Sequence, residues 1–275
     1  MRAALVQLTA SDDPSETLPR TLDLVRRAEG ADLIVTPEVT NCVSASRTRQ
    51  REMLRAEADD PTLAALRGEA ARQGAWILVG SLALQAEGQG AAPFVNRSFL
   101  ISPEGAIAAR YDKIHMFDVE LGGAETYRES AGYRAGDRAV LARAGAAAIG
   151  MTVCYDLRFP ALYRTLAKAG ATVLTVPSAF SPVTGPAHWE TLLRARAIET
   201  GAYVLAPAQC GAHAAARGRA RSSHGRSLAV SPWGEVLADM GEDPGATTVD
   251  LDLGAVAAAR RRIPSLAHDR PWTGP

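Results

Sequence analysis

Apolar and polar positions along the chain follow two alternating periods. AALVQLTA at 3–10 is an apolar run of strand length, and roughly Pro14 to Glu29 puts Leu18, Leu22 and Val25 on one helical face. ADLIVTPE at 31–38 predicts a buried strand, followed by a helix near Pro61 to Gln73 and the strand AWILVGSLAL at 75–84. PFVNRSFLIS, the turn Pro103-Glu104-Gly105 and AIAARYDKIH read as a hairpin. Residues 118–138 carry no clear period and are rich in Gly, Glu and Arg, which predicts a long loop. Loops of that length in compact domains usually carry function.

The second half repeats the alternation. AAIGMTVCYD is a strand, Pro160 to Lys168 a helix opened by its proline, ATVLTVPSAF a strand, His188 to Thr200 a long helix and AYVLAPAQ a strand. SLAVSPWGEVLADM turns at Pro232-Trp233-Gly234, and Leu253 to Arg262 is a last helix. No linker-like stretch divides the 275 residues, so one domain over 1–275 is expected. Continuous apolar strands between helices imply sheets covered by helices, an α/β fold.

Composition narrows the function. Thirty basic residues balance thirty acidic ones, which offers no electrostatic reason for a nucleic-acid or membrane partner. No apolar run reaches the roughly 18 residues of a membrane helix, and the N-terminus lacks the pattern of a signal peptide. Cys42, Cys154 and Cys210 have no metal-type spacing, which fits a reducing cytoplasm. Nearly all the basic residues are arginine, and the lysines are Lys113 and Lys168 alone. A lysine kept in so arginine-rich a chain raises the question of whether a compact ammonium is needed there. Lys168 falls on a solvated helix face, which leaves Lys113.

Three residues stand at or just past strand ends, where folds present reactive groups: Glu38 after LIVTP, Lys113 after IAARYD and Cys154 after AIGMTV. The plainest reading of Cys154 is a buried structural thiol. Its strand-to-helix turn and polar neighbours Tyr155, Asp156 and Arg158 suggest instead an elbow that exposes sulfur beside backbone N–H donors. Cys42 and Cys210 lack that setting and read as structural. A thiol nucleophile needs a base, and none of the five histidines is singled out by spacing. Glu38, desolvated after an apolar strand, would have its pKa raised toward the working range. Lys113 would stabilise the carboxylate and a developing oxyanion. The residues by themselves reach a cysteine hydrolase and no further.

TPE at 36–38, YDKIHMFDVE at 111–120, YRES at 127–130 and CYDLRFP at 154–160 resemble the four catalytic segments of the carbon–nitrogen hydrolase (nitrilase-like) family. VPSAF at 176–180, TGPAHWETLLRARAIET at 184–200, APAQCGAH at 206–213 and SPWGEVLA at 231–238 extend the likeness over nearly the whole chain. The resemblance implies a four-layer αββα sandwich, commonly paired through helices, and hence a homodimer. It implies Glu38 as general base, Lys113 as oxyanion-stabilising lysine, Cys154 as nucleophile and Glu129 as support for the lysine. The Tyr155 backbone N–H would share the oxyanion. Attack on an amide carbon would give a thioester that water then hydrolyses, with no metal or organic cofactor.

Within that family the segments look most like the deaminated glutathione amidase branch, which implies a small 2-oxo acid amide as substrate. Arg158 would pair with its carboxylate, and Phe180 and Thr184 match pocket positions. The chain departs from relatives at His224-Gly225-Arg226-Ser227 and at Thr200-Gly201. ARGRARSSHGR at 216–226 gathers four arginines and reads as a mobile, solvated loop or as an anion-attracting patch for a dicarboxylate. Rival readings are an ω-amidase acting on 2-oxoglutaramate, a hydrolase of N-carbamoyl amino acids or aliphatic amides, a true nitrilase, and an inactive or thiol-redox binding protein.

Overall fold

The computed structural model describes residues 1–88, 92–122 and 126–274. Helix α1 (Pro14–Arg27) opens on Asp13, whose side chain accepts from Ser15 N, and carries Arg26 and Arg27 in its last turn. A short polar helix α2 (Arg47–Met53) precedes α3 (Pro61–Gln73), which Asp60 caps at Leu63 N and left-handed Gly74 ends. The second half carries α4 (Pro160–Lys168), α5 (Gly185–Thr200) and α6 (Gly254–Arg262).

Two sheets share one strand plan. In the first, Arg2–Gln7, Leu33–Val35 and Trp76–Gln85 run parallel; Gly245–Asp250 flanks them antiparallel on one side, and Phe94–Ile101 and Ile107–Asp112 extend them antiparallel on the other. In the second, Ala147–Met151, Val173–Thr175 and Tyr203–Ala206 run parallel between antiparallel Val140–Ala144 and the pair Leu228–Val230, Val236–Asp239. The repetition seen in the sequence is thus a repetition of sheet topology.

Strand parity sorts the side chains into layers. Leu5, Leu33, Val35, Leu78 and Leu100 pack with Ile149, Met151, Val173 and Leu205 of the other sheet. Val6, Ile34, Ile77 and Phe99 face Val25 of α1 and Leu63 and Leu66 of α3. On the far side, Tyr163 and Leu166 of α4 and Trp189 and Leu193 of α5 close the second sheet. The result is the four-layer αββα sandwich that the resemblance implied. The carboxyl ends of both sets of parallel strands meet where Leu8 bridges Gln209 and Ser178 bridges Ala208.

Five stretches depart from the sequence reading. Helix α2 has no apolar stripe, and strands Val140–Ala144 and Gly245–Asp250 lie at sheet edges with most of their side chains only partly buried or exposed, so neither period is visible. The predicted loop at 118–138 contains an exposed two-stranded hairpin, Asp118–Glu120 with Thr126–Arg128, and the short strand Tyr133–Arg134; residues 123–125 lie outside the described residues. The 216–226 stretch is no free loop either, because Arg221–His224 pairs with Cys210–His213.

Gly80 lies at the irregularity in the Trp76–Gln85 strand, where the two sheets meet. A methyl group there would fall 2.0 Å from Thr36 O and 2.4 Å from Pro177 Cβ, atoms of the loops that carry Glu38 and receive Cys154. Gly80→Ala is therefore expected to cost at least about 1–3 kcal/mol, read as a lowered melting temperature in thermal denaturation.

Candidate active site

Glu38 sits three residues past the Leu33–Val35 strand and is buried. Its turn is held by Val39 N donating to Ser81 Oγ at 2.8 Å and by Gln209 Nε2 donating to Glu38 O at 3.0 Å. Val39 adopts φ 46, a strained value for a β-branched residue. The carboxylate is fully engaged: Oε1 accepts from Lys113 Nζ and Asn96 Nδ2, both at 2.9 Å, and Oε2 accepts from Ala179 N at 2.8 Å.

Lys113 follows the Ile107–Asp112 strand and is buried with it. Its Nζ donates to Glu38 and also to both oxygens of Glu129, at 3.1 and 2.8 Å. Glu129 opens a short 3-10 turn, and its Oε2 also accepts from Phe117 N at 2.7 Å. Asn96 was not picked out by sequence reasoning. The available signal was a lone amide on the strand face that Ser98 and Leu100 share, the face turned toward the second sheet.

Cys154 begins a 3-10 turn, Cys154–Arg158, directly after the second sheet's Ala147–Met151 strand, with φ 49. Its N–H donates to Pro177 O at 2.9 Å, while the Tyr155 N–H belongs to a first turn, whose amides have no acceptor within the helix. The thiol and the Glu38 carboxylate line the same cavity, close enough for each to perturb the other's ionisation.

Asp156, also missed, locks this turn to the lysine strand. Its fully buried carboxylate accepts from Val153 N at 2.8 Å, Tyr111 OH at 2.6 Å, His115 N at 3.1 Å and His115 Nδ1 at 2.7 Å. Tyr111 and His115 flank Lys113 by two residues on either side, so one carboxylate sets Cys154 against Lys113.

Charge follows from these contacts. Burial pushes the Glu38 carboxyl up, but the Lys113 ammonium and three hydrogen bonds more than offset it and hold the group below an ordinary glutamate. This corrects the expectation of a raised value: the site is desolvated, but the neighbouring cation wins. Burial works against a charged Lys113, yet Glu129 and then Glu38 keep it well above an ordinary lysine. Burial and then the Glu38 charge push the Cys154 thiol up. The resting site therefore holds a neutral thiol beside an ionised carboxylate, with the ammonium between two acids.

These groups form the floor of a cavity of about 390 Å³. Tyr155, Phe180, Ser181, Thr184, Gln50, Tyr127 and Tyr133 line it as well. Arg158 does not line it. Its guanidinium stands 6.0 Å from the Tyr155 ring centroid and 5.6 Å from that of Phe180, and makes a 3.2 Å contact with His188 Nδ1. Cys42 does line the cavity, but burial and then the Asp12 charge push its thiol up to about 12, leaving it inert. Lys168 pairs with Asp269 at the surface, as its helix position implied. Among the described residues no cluster of His, Cys, Asp and Glu is placed to hold a metal ion.

The carbon-nitrogen hydrolase family model matches residues 2–261. The chain belongs to the carbon–nitrogen hydrolase family. It is a hydrolase of carbon–nitrogen bonds in amides other than peptide bonds. A Synechocystis sp. relative called deaminated glutathione amidase is 38% identical over 270 residues, 97% of each chain. The hydrolase superposes on the Caenorhabditis elegans NitFhit protein with TM-score 0.89 and 33% identity, over 98% of this chain and 65% of that one. It also superposes on a mutant amidase of Nesterenkonia sp. that carries the acetamide moiety of fluoroacetamide on its active-site cysteine, with TM-score 0.76 and 28% identity over 95% and 94% of the chains.

Removing the lock should loosen this site. Asp156→Ala strands several buried donors and is expected to cost about 1–3 kcal/mol or more in chemical denaturation, whereas Tyr111→Phe, losing one bond, costs about 1 kcal/mol. Equal, negligible losses would mean that the network carries no weight.

Proposed function

We propose that this hydrolase is an amidase with Cys154 as nucleophile and Glu38 as general base, acting on deaminated glutathione or a closely related 2-oxo acid amide. The observation that carries this reading is the convergence of the Cys154 thiol, the Glu38 carboxylate and the Lys113 ammonium at one cavity floor. Glu38 takes the thiol proton as sulfur attacks the amide carbon. Lys113 and the Tyr155 N–H hold the oxyanion, and Glu129 keeps the lysine charged and in place. Glu38 then protonates the leaving nitrogen, a thioester remains, and water activated by Glu38 releases the acid. Neither a metal nor an organic cofactor has a part in these steps.

The substrate assignment draws on the name of the Synechocystis relative. Deaminated glutathione joins a 2-oxoglutaryl group to cysteinylglycine through an amide, so cleavage yields 2-oxoglutarate and the dipeptide. Phe180 and Thr184 are assigned to the acid portion, with Arg158 acting through the Tyr155 and Phe180 rings that it overlies. The assembly is a homodimer, in which exposed Ile198, Trp233 and Ile263 are apolar surface for a second copy to cover. The cytoplasm suits three free cysteines, and among the described residues no helix is long and apolar enough to cross a membrane.

The test compares 2-oxoglutarate release from deaminated glutathione and 2-oxoglutaramate with turnover of an N-carbamoyl amino acid and of a nitrile. Preference for the first is expected; turnover of another compound alone would move the enzyme to a sister activity. Cys154→Ala should lower kcat by at least about 10⁴-fold, and normal turnover would remove the nucleophile. Lys113→Arg should lose about 10²–10³-fold, because a planar guanidinium cannot replace the compact ammonium. The acid limb of kcat/KM should fall below the ordinary glutamate value of 4.5, since Glu38 stays ionised until the pH drops beneath it. A limb near neutrality would point to a different base.

A further inference from the structure

We propose that Arg221 is the receptor for a carboxylate on the amine portion of the substrate, so that the enzyme favours amides whose leaving amine is itself an acid. This rests on the reading above only in assigning the acid portion to the Phe180 and Thr184 side of the cavity.

The lining charges are unbalanced. The described carboxylates that line the cavity, Glu38 and Glu129, are both committed to Lys113, whereas Arg47, Arg128, Arg219 and Arg221 also line it. The surplus charge in a partly closed space attracts an anion. Three of these arginines are already engaged, Arg219 among them. Arg47 donates to Gln50 Oε1 at 2.9 Å and to the carbonyls of Arg128 and Glu129 at 3.1 and 3.4 Å, and Arg128 donates to Glu120 Oε1 at 2.5 Å.

Arg221 differs. It is half-buried, and among the described residues its guanidinium makes no ion pair or hydrogen bond; it stands 5.5 Å from the Tyr127 ring centroid. A half-buried fork of five donors with no acceptor is an unmet demand, and a carboxylate meets it with two parallel bonds. Stacking on tyrosine fixes the plane in which that carboxylate must arrive.

The hairpin beneath Arg221 is rigidly set. Arg221 pairs across it with His213, which is buried. The His213 Nδ1–H donates to Ala10 O at 2.7 Å, and Nε2 accepts from Ser223 Oγ at 2.8 Å. With both ring nitrogens committed, the hairpin that carries Arg221 to the cavity is held in place. Arg217, by contrast, pairs with Glu52 outside this group.

Calorimetry on the Cys154→Ala protein tests the proposal without turnover. Its affinities for deaminated glutathione and for the analogue with the glycine carboxylate converted to a carboxamide are compared, with and without Arg221→Gln or Arg221→Lys. The carboxylate form is expected to bind about tenfold to a hundredfold more tightly. Arg221→Gln should bring that ratio close to one, and Arg221→Lys should restore part of it, because charge returns without the fork. A ratio near one in the Arg221 protein, a ratio that survives Arg221→Gln, or failure of both ligands to bind would overturn the proposal. If discrimination holds while the Cys154 enzyme turns over neither ligand, the catalytic reading fails and the subsite stands.

Discussion

A buried ammonium governs this architecture. Lys113 has been taken out of water, and an isolated charge there would be prohibitively costly. It is tolerated because Glu38 and Glu129 surround it at hydrogen-bonding distance, one from a strand end and the other from an irregular turn. Removing either acid leaves the buried lysine with a single counter-charge, and removing the lysine leaves two carboxylates facing each other. The same arrangement sets the protonation state of its neighbour. The cation holds Glu38 ionised, and the proton stays on sulfur.

Backbone strain is the second cost of this arrangement. Val39 and Cys154 adopt left-handed conformations of φ 46 and 49, the first next to Glu38 and the second at the thiol, and each backbone N–H is tied to a neighbouring segment, at Ser81 Oγ and Pro177 O. Gly80 allows those loops to close on one another. Asp156 then sets the separation between thiol and ammonium from behind, out of reach of the substrate.

Much of this was legible in the sequence. Strands buried on both faces leave unbroken apolar runs, and the proline and glycine boundaries of the helices are local chemistry, so the alternation and its repetition could be read directly. Glu38, Lys113 and Cys154 stood out by placement at strand ends, and the family resemblance joined them to Glu129. Asn96 and Asp156 were not legible, because a buried polar side chain looks like any surface one until its partners, distant in sequence, are known. Arg158 drew attention through closeness in sequence to the thiol. Arg221 lines the cavity instead, because a hairpin with no clear apolar period carries it there. Edge strands such as Gly245–Asp250 were lost for the same reason: only partly buried, they keep too little periodicity to declare themselves.

Glu38 and Cys154 hang from different sheets, 116 positions apart along the chain. The distance between carboxylate and sulfur therefore reports how one sheet sits on the other, a quantity set by the interdigitation of Leu5, Leu33, Ile149 and Val173 far from any substrate. A small slide between the layers would spoil the alignment while every strand stayed folded. The alignment of these two groups is thus a property of the core, and a substitution deep in the sandwich can disturb it without touching any residue that lines the cavity.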